Sequence, residues 1–189
     1  MKIKKFKVTL RKKEIFKNLK LTSEIKEYTP EIDEAISGEI DKSAEYLSPA
    51  SIFETFQIEE AKSKFGLSFD QKPKPVAVSV IVVSIGSGIE SKIKTSADNN
   101  NEQRKQILNS LGLEACTGSL AFVYRILSEE ATEDDCHLLA LEKQSGDMEK
   151  NILNNIDIKS IDVSIDEAGN IKPQYFNTAI VKWLPKSKK

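Results

Sequence analysis

The sequence predicts one domain of mixed helices and strands spanning residues 1–189, and three observations predict it. Val76 to Ile85 is a nearly continuous β-branched run, the pattern of a strand buried on both faces near the middle of a sheet. Apolar residues recur at helical spacing after Thr29-Pro30 and again from Glu102, as two core-facing helices require. Alternation then returns at Ile161, Val163 and Ile165 and the chain closes on TAIVKWL, a second strand-rich block. At 189 residues the chain is long enough to bury a substantial core.

Taken in order, Phe6, Val8 and Leu10 alternate with polar neighbours and predict a short strand, and RKKEIFKNLKL places Ile15, Phe16 and Leu19 on one side of a short helix. Thr29, Pro30 and Glu31 form a strong helix start: a hydroxyl cap, a proline whose missing N–H costs nothing in the first turn, and an acid at the positive dipole end. That helix carries Ile32, Ala35, Ile36, Ile40, Ala44 and Leu47, and Ser48-Pro49 ends it. SIFETFQI reads as a strand, and so does KFGLSFD through Phe65, Leu67 and Phe69. QKPKP is a connector. After the Val76 strand and the loop ADNNNEQ, a long helix is predicted from Glu102 to Ser128, in which Gly112 and Gly118 each cost about 1 kcal/mol against alanine and mark close contact with another element. SEEATEDD is an acidic break, HLLALE a strand, Asp147 to Ile156 a helix, and EAGN a turn before the last strand. The tail 185–189 has the composition of disordered chain.

Composition narrows the function. With 28 basic and 29 acidic residues the formal charge is −1, so no global field draws the chain to nucleic acid or to an anionic membrane. The basic start MKIKKFKVTLRKKEIF is read as a solvated face and lacks the apolar core of a signal peptide. Two cysteines make no disulfide framework, and a reduced, cytoplasmic protein is expected.

Local chemistry identifies no enzyme. The segment IGSG invites a phosphate-loop reading, but the dinucleotide fingerprint needs glycine at the position of Ser91, and the Walker Lys-Ser/Thr pair is absent. Asp134, Asp135, Cys136 and His137 are consecutive, so their side chains diverge rather than converge on a metal. His137 is the sole histidine and is expected to be structural. Cys116, set among Ala115, Gly118 and Leu120, reads as a small core residue rather than a thiolate.

The order of segments says more. RKKEIFKNLKL, PEIDEAISGEIDKSAEYLSPASIFETF, VAVSVIVVSIGSGIESKI, ILNSLGLEACTGSL and IDVSIDEAGNIKPQYF together resemble the activation domain of cobalamin-dependent methionine synthase, and more closely its stand-alone bacterial relatives. The resemblance implies an α+β fold with a bent, mainly antiparallel sheet and flanking helices. It implies that IGSG is the turn from a strand into a helix, with Gly86 needed for the backbone. It places Asp166, Glu167 and Ala168 on the family's Thr-Glu-Ser triplet and Pro173 on the proline that follows. It further implies binding of S-adenosylmethionine above a cobalamin carried by a partner, a methionine synthase or other corrinoid protein, with the chain orienting the methyl donor while the cofactor supplies the chemistry.

The family's donor-binding segment, an Arg followed by Ser-Pro-Gly-Tyr-Gly-Asp, corresponds here to HLLALEKQSGD. Only Gly146 and Asp147 match it. The arginine and tyrosine are missing, and neither Ala140 nor Lys143 provides a guanidinium fork for the donor's carboxylate. The expected ligand residues are therefore Glu167, Asp147, Gly146 and Pro173, in an accessory subunit of a corrinoid methyl-transfer system. The alternative is a non-catalytic interaction module that kept the fold and lost the ligand.

Overall fold

The protein, a computed structural model, is described over residues 1–69 and 73–186. Its strands are β1 (Lys2–Lys4), β2 (Ala50–Gln57), β3 (Ala77–Ser84), β4 (Cys136–Leu138), β5 (Glu142–Gln144), β6 (Ser164–Ile165), β7 (Ile171–Lys172) and β8 (Phe176–Pro185). The helices are α1 (Lys12–Thr22), α2 (Pro30–Lys42), α3 (Ile58–Phe65), α4 (Gly88–Asp98), α5 (Glu102–Glu133) and α6 (Gly146–Asn155).

The fold is α+β, a curled antiparallel sheet with flanking helices. Strand order is β1-β2-β3-β8-β4, with β5 also pairing β8, and β6-β7 form a separate hairpin. Every residue of β3 is buried, because β2 and β8 flank it and both faces are covered. On one face Phe53, Ile81 and Ala179 stand in register and pack with Leu120, Val123 and Leu127 of α5. On the other, Phe56, Val78, Val80 and Ile180 pack with Phe65 of α3 and Ile152 and Leu153 of α6. The long apolar run thus forms the central strand, as its hydrophobicity requires.

Helix starts follow local chemistry. Thr29 accepts a hydrogen bond from Ile32 N, with Pro30 opening α2. Asn101 accepts from Arg104 N at 3.1 Å and starts α5. The contacts expected of the α5 glycines are present: a Cβ on Gly112 would lie 2.5 Å from the Tyr175 ring, and one on Gly118 2.5 Å from Val8 Cγ1.

Several expectations are corrected. Residues 6–10 show the alternating burial of a strand but pair with none; the sheet edge is β1, and Phe6 instead stacks on Phe122 of α5, with centroids 4.3 Å apart. Residues 64–69 are no strand: Ala61 and Phe65 bury one side of α3, and Gly66, at φ 68°, closes that helix by donating to Lys62 O. Asp70 and the first two residues of QKPKP lie outside the described residues. The acidic break begins later than predicted, because Leu127 and Ala131, four apart, keep burying the same side of α5 until Asp135 takes φ 54°. HLLALE divides between β4 and β5. Ile161 closes a 3-10 turn, so the alternation there yields only the short β6. Of the predicted tail, Pro185 ends β8 and Lys186 N donates to Asp135 O, while 187–189 lie outside the described residues.

Candidate functional site

The predicted ligand residues fall on two elements that pack on one side of the sheet. Met148 of α6 and Ile165, Ile171 and Phe176 of the hairpin and β8 all border the apolar cluster built around Val80 and Ile180. Gly146, at φ 64°, turns the chain from β5 into α6, a conformation that favours glycine. Asp147 lies exposed in the first turn of α6, where its charge complements the helix dipole. It makes no hydrogen bond or ion pair among the described residues.

Beside it the structure adds Glu149, absent from the predicted set. Thr178 Oγ1 of β8 lies 3.4 Å from both Glu149 Oε1 and Gln144 O. Burial pushes the Glu149 carboxyl above the ordinary carboxylate range, and the Thr178 hydrogen bond pulls it back in part. A carboxyl raised in the folded state takes up its proton earlier there than in the unfolded chain, so stability rises as pH falls through the raised value toward the ordinary one. Glu149→Gln is expected to flatten that rise, checked by urea unfolding at about pH 5 and about pH 8. In the sequence Glu149 stands out only as part of a predicted helix; its partner lies 29 residues away on β8.

The turn between β6 and β7 is held by Asp166. Asp166 Oδ1 accepts from Ala168 N at 3.0 Å and Asn170 N at 2.9 Å, which holds the Asp166 carboxyl below the ordinary range. Asp166 is therefore the turn-capping carboxylate. Glu167 is exposed at the tip and makes no hydrogen bond or ion pair among the described residues. Pro173 is buried and follows a cis peptide bond from Lys172. Beyond it Gln174 N donates to Glu90 Oε1 of α4 at 2.6 Å, and the Tyr175 hydroxyl bonds Asn109 of α5. Pro173 thus belongs to the packed lead into β8, whereas Glu167, Asp147 and Gly146 are open to solvent.

The missing fork is not rebuilt nearby. The chain holds only three arginines, Arg11, Arg104 and Arg125, so none follows α5. Lys143, the cation of the altered segment, reaches Thr117 Oγ1 at 3.3 Å. Lys182 pairs with Glu142 at 2.7 Å.

The other sequence candidates resolve structurally. Gly86 takes φ 77° at the end of β3 and Gly88 packs against the backbone of Tyr46, so IGSG is a turn closed by protein. The Cys116 thiol is buried and pushed up to about 12 by that burial, out of the range of a reactive thiolate. His137 is exposed in β4, in register with Leu184. No group of three or more His, Cys, Asp or Glu could hold a metal among the described residues, and no described helix is long and apolar enough to cross a membrane. Of the predicted ligand residues, Gly146, Asp147 and Glu167 are the exposed ones.

No family model matches the chain, and no curated protein matches it in sequence. Its fold resembles that of solved structures, among them the crystal structure of the MetH reactivation domain bound to AdoHcy, with a TM-score of 0.59 at 9% identity, covering 84% of this chain and 66% of that one. The chain spans just under two thirds of that structure's length. At this identity the likeness carries the fold alone.

Proposed function

We propose that the chain is an accessory subunit of a cobalamin-dependent methyl-transfer system, one that docks on a cobalamin-bearing methionine synthase or related corrinoid protein and positions S-adenosylmethionine during reactivation. The observation that carries this reading is the fold shared with the MetH reactivation domain. Cobalamin belongs to the partner in this reading, and this chain contributes binding and orientation. Glu167 at the hairpin tip and Asp147 at the start of α6 are the carboxylates available to a cationic sulfonium ligand, and Gly146 leaves the backbone beside Asp147 open. The setting is cytoplasmic.

A second reading is favoured by a specific observation. With no arginine after α5 and Lys143 engaged by Thr117, the donor's carboxylate has no guanidinium partner on this face. A module that kept the fold and its docking surface while losing the methyl donor accounts for that.

Calorimetric titration with S-adenosylmethionine, paired with a pull-down for cobalamin-bearing partners, separates the two. The first reading predicts saturable binding that weakens about tenfold in Glu167→Ala. Because Glu167 makes no hydrogen bond or ion pair among the described residues, that variant is expected to unfold at the same urea concentration as the parent. No binding with retained capture of a cobalamin protein favours the second reading, and failure of both rejects the two together.

A further inference from the structure

On the side of the sheet covered by α5, part of the N-terminal basic run closes a concavity of about 280 Å³, lined among others by Lys7, Thr9, Arg11, Gly118, Phe122 and Arg125. Its walls are held firmly. Val8 packs so closely on Gly118 that a Cβ there would lie 2.5 Å from Val8 Cγ1. Phe122 is stacked against Phe6 with an interplanar angle of 6°, and the Arg125 guanidinium lies 5.6 Å from the centre of the Phe122 ring.

The charge balance of this concavity differs from that of the chain. Arg11 donates to Glu114 through Nε at 2.7 Å and Nη2 at 3.3 Å, which neutralises the buried Glu114 carboxylate and leaves Nη1 outside the pair. Lys7 and Arg125 have no hydrogen bond or ion pair among the described residues. Two net positive charges therefore face one small space, in a protein whose formal charge is −1. Keeping like charges together costs Coulomb energy that an anion would recover.

We propose that this concavity binds the phosphate group of a small organic phosphate, with Lys7 and Arg125 contacting the anion and Val8, Ala121 and Phe122 lying against its carbon part. A phosphate monoester carries a charge of about −1.5 to −2 near neutrality, which matches the two uncompensated cations; a carboxylate matches one. Guanidinium groups suit the bidentate geometry of phosphate oxygens, and Lys7 adds a point charge. At about 280 Å³ the space lies just below the usual range of small-molecule sites, which limits the ligand to a small one. The inference is independent of the function proposed above, since Glu167 and Asp147 belong to elements packed on the opposite face of the sheet.

The test is a titration of the ¹⁵N-labelled full chain with phenyl phosphate at low salt, with benzoate as the monoanionic control. Saturable shifts centred on Thr9, Gly118 and Arg125 are expected, with affinity at least about tenfold weaker for benzoate and for the Lys7→Met/Arg125→Met double variant. Both substituted side chains are on exposed residues, so the unfolding midpoint should hold, which keeps lost binding distinct from lost fold. The proposal is overturned by an absence of saturation at about 10 mM, by shifts confined to Lys12, Lys13 and Lys17 of α1, or by binding that the double variant retains. A hexaglutamate peptide that binds more tightly than phenyl phosphate overturns it too, in favour of an acidic protein partner.

Discussion

Gly88→Ala is expected to lower the unfolding free energy by about 3 kcal/mol, through overpacking against a backbone that cannot move aside. A Cβ on Gly88 would overlap the Tyr46 carbonyl oxygen, with the Tyr46 carbonyl carbon 3.1 Å and Cα 3.2 Å away. Tyr46 is fixed from several directions: its ring is buried, its hydroxyl donates to Glu39 O at 2.7 Å, and two residues on Ser48 N donates to Ile85 O at 2.9 Å. Relief would require moving the end of α2 and the end of β3 together. Gly38→Ala in α2 provides the contrast. Nothing lies within 4 Å of its Cβ position, so the helix propensity of alanine should raise stability by up to about 1 kcal/mol. Urea unfolding of both variants checks the pair, and a loss below about 1 kcal/mol at Gly88 would show that the contact yields.

Arg11→Met should cost about 3 kcal/mol, because it strands a buried carboxylate. Glu114 has 2% of its side chain exposed, whereas Arg11 has 56%, so the pair caps a buried charge from the solvent side. That asymmetry puts the loss at the lower end of the usual range for breaking a buried pair, since water can partly replace the guanidinium. Replacing both residues by methionine should recover most of the loss, as the desolvation cost of the carboxylate disappears with it. Arg11→Lys should recover only part, because an ammonium cannot supply the Nε and Nη2 contacts together. A double variant no more stable than Arg11→Met would show that packing rather than charge compensation is at stake.

Much of the fold was legible because its causes are local. The Thr29-Pro30-Glu31 start of α2 is settled within one helical turn, and the burial of β3 is written in its own side chains. The start of α5 and the turn after Asp166 are likewise built from neighbouring residues. Where two local signals competed, the sequence reading failed. Phe65, Leu67 and Phe69 alternate as a strand would, but Ala61 and Phe65 also share a helical side, and Gly66 supplies the left-handed C-cap that favours the helix. Phe6, Val8 and Leu10 show the right period, yet period specifies which side chains turn inward and not whether a neighbouring strand is there to pair.

The candidate site was less legible than the fold. Gly146 and Asp147 do open a helix, and Glu167 does sit in an exposed turn. That Asp166 is the residue capturing the backbone N–H groups of this turn comes from the structure. Pro173, expected among the ligand residues, is buried beside the hairpin, a placement the sequence does not show. Glu149 was passed over since its hydroxyl partner comes from β8.

By itself the sequence determined the mixed helix-and-strand class, the central strand, the two principal core-facing helices and the absence of a recognised catalytic motif. Periodicity, caps and turn residues act over a few positions, so they can be read without knowing what packs against them. Tertiary structure alone decided that Arg11 meets Glu114 across 103 positions, that Gly88 must remain small beneath Tyr46, and that Lys7 and Arg125 face the same concavity. Those outcomes depend on which surfaces meet when the helices close on the sheet, and no short stretch of chain carries that information.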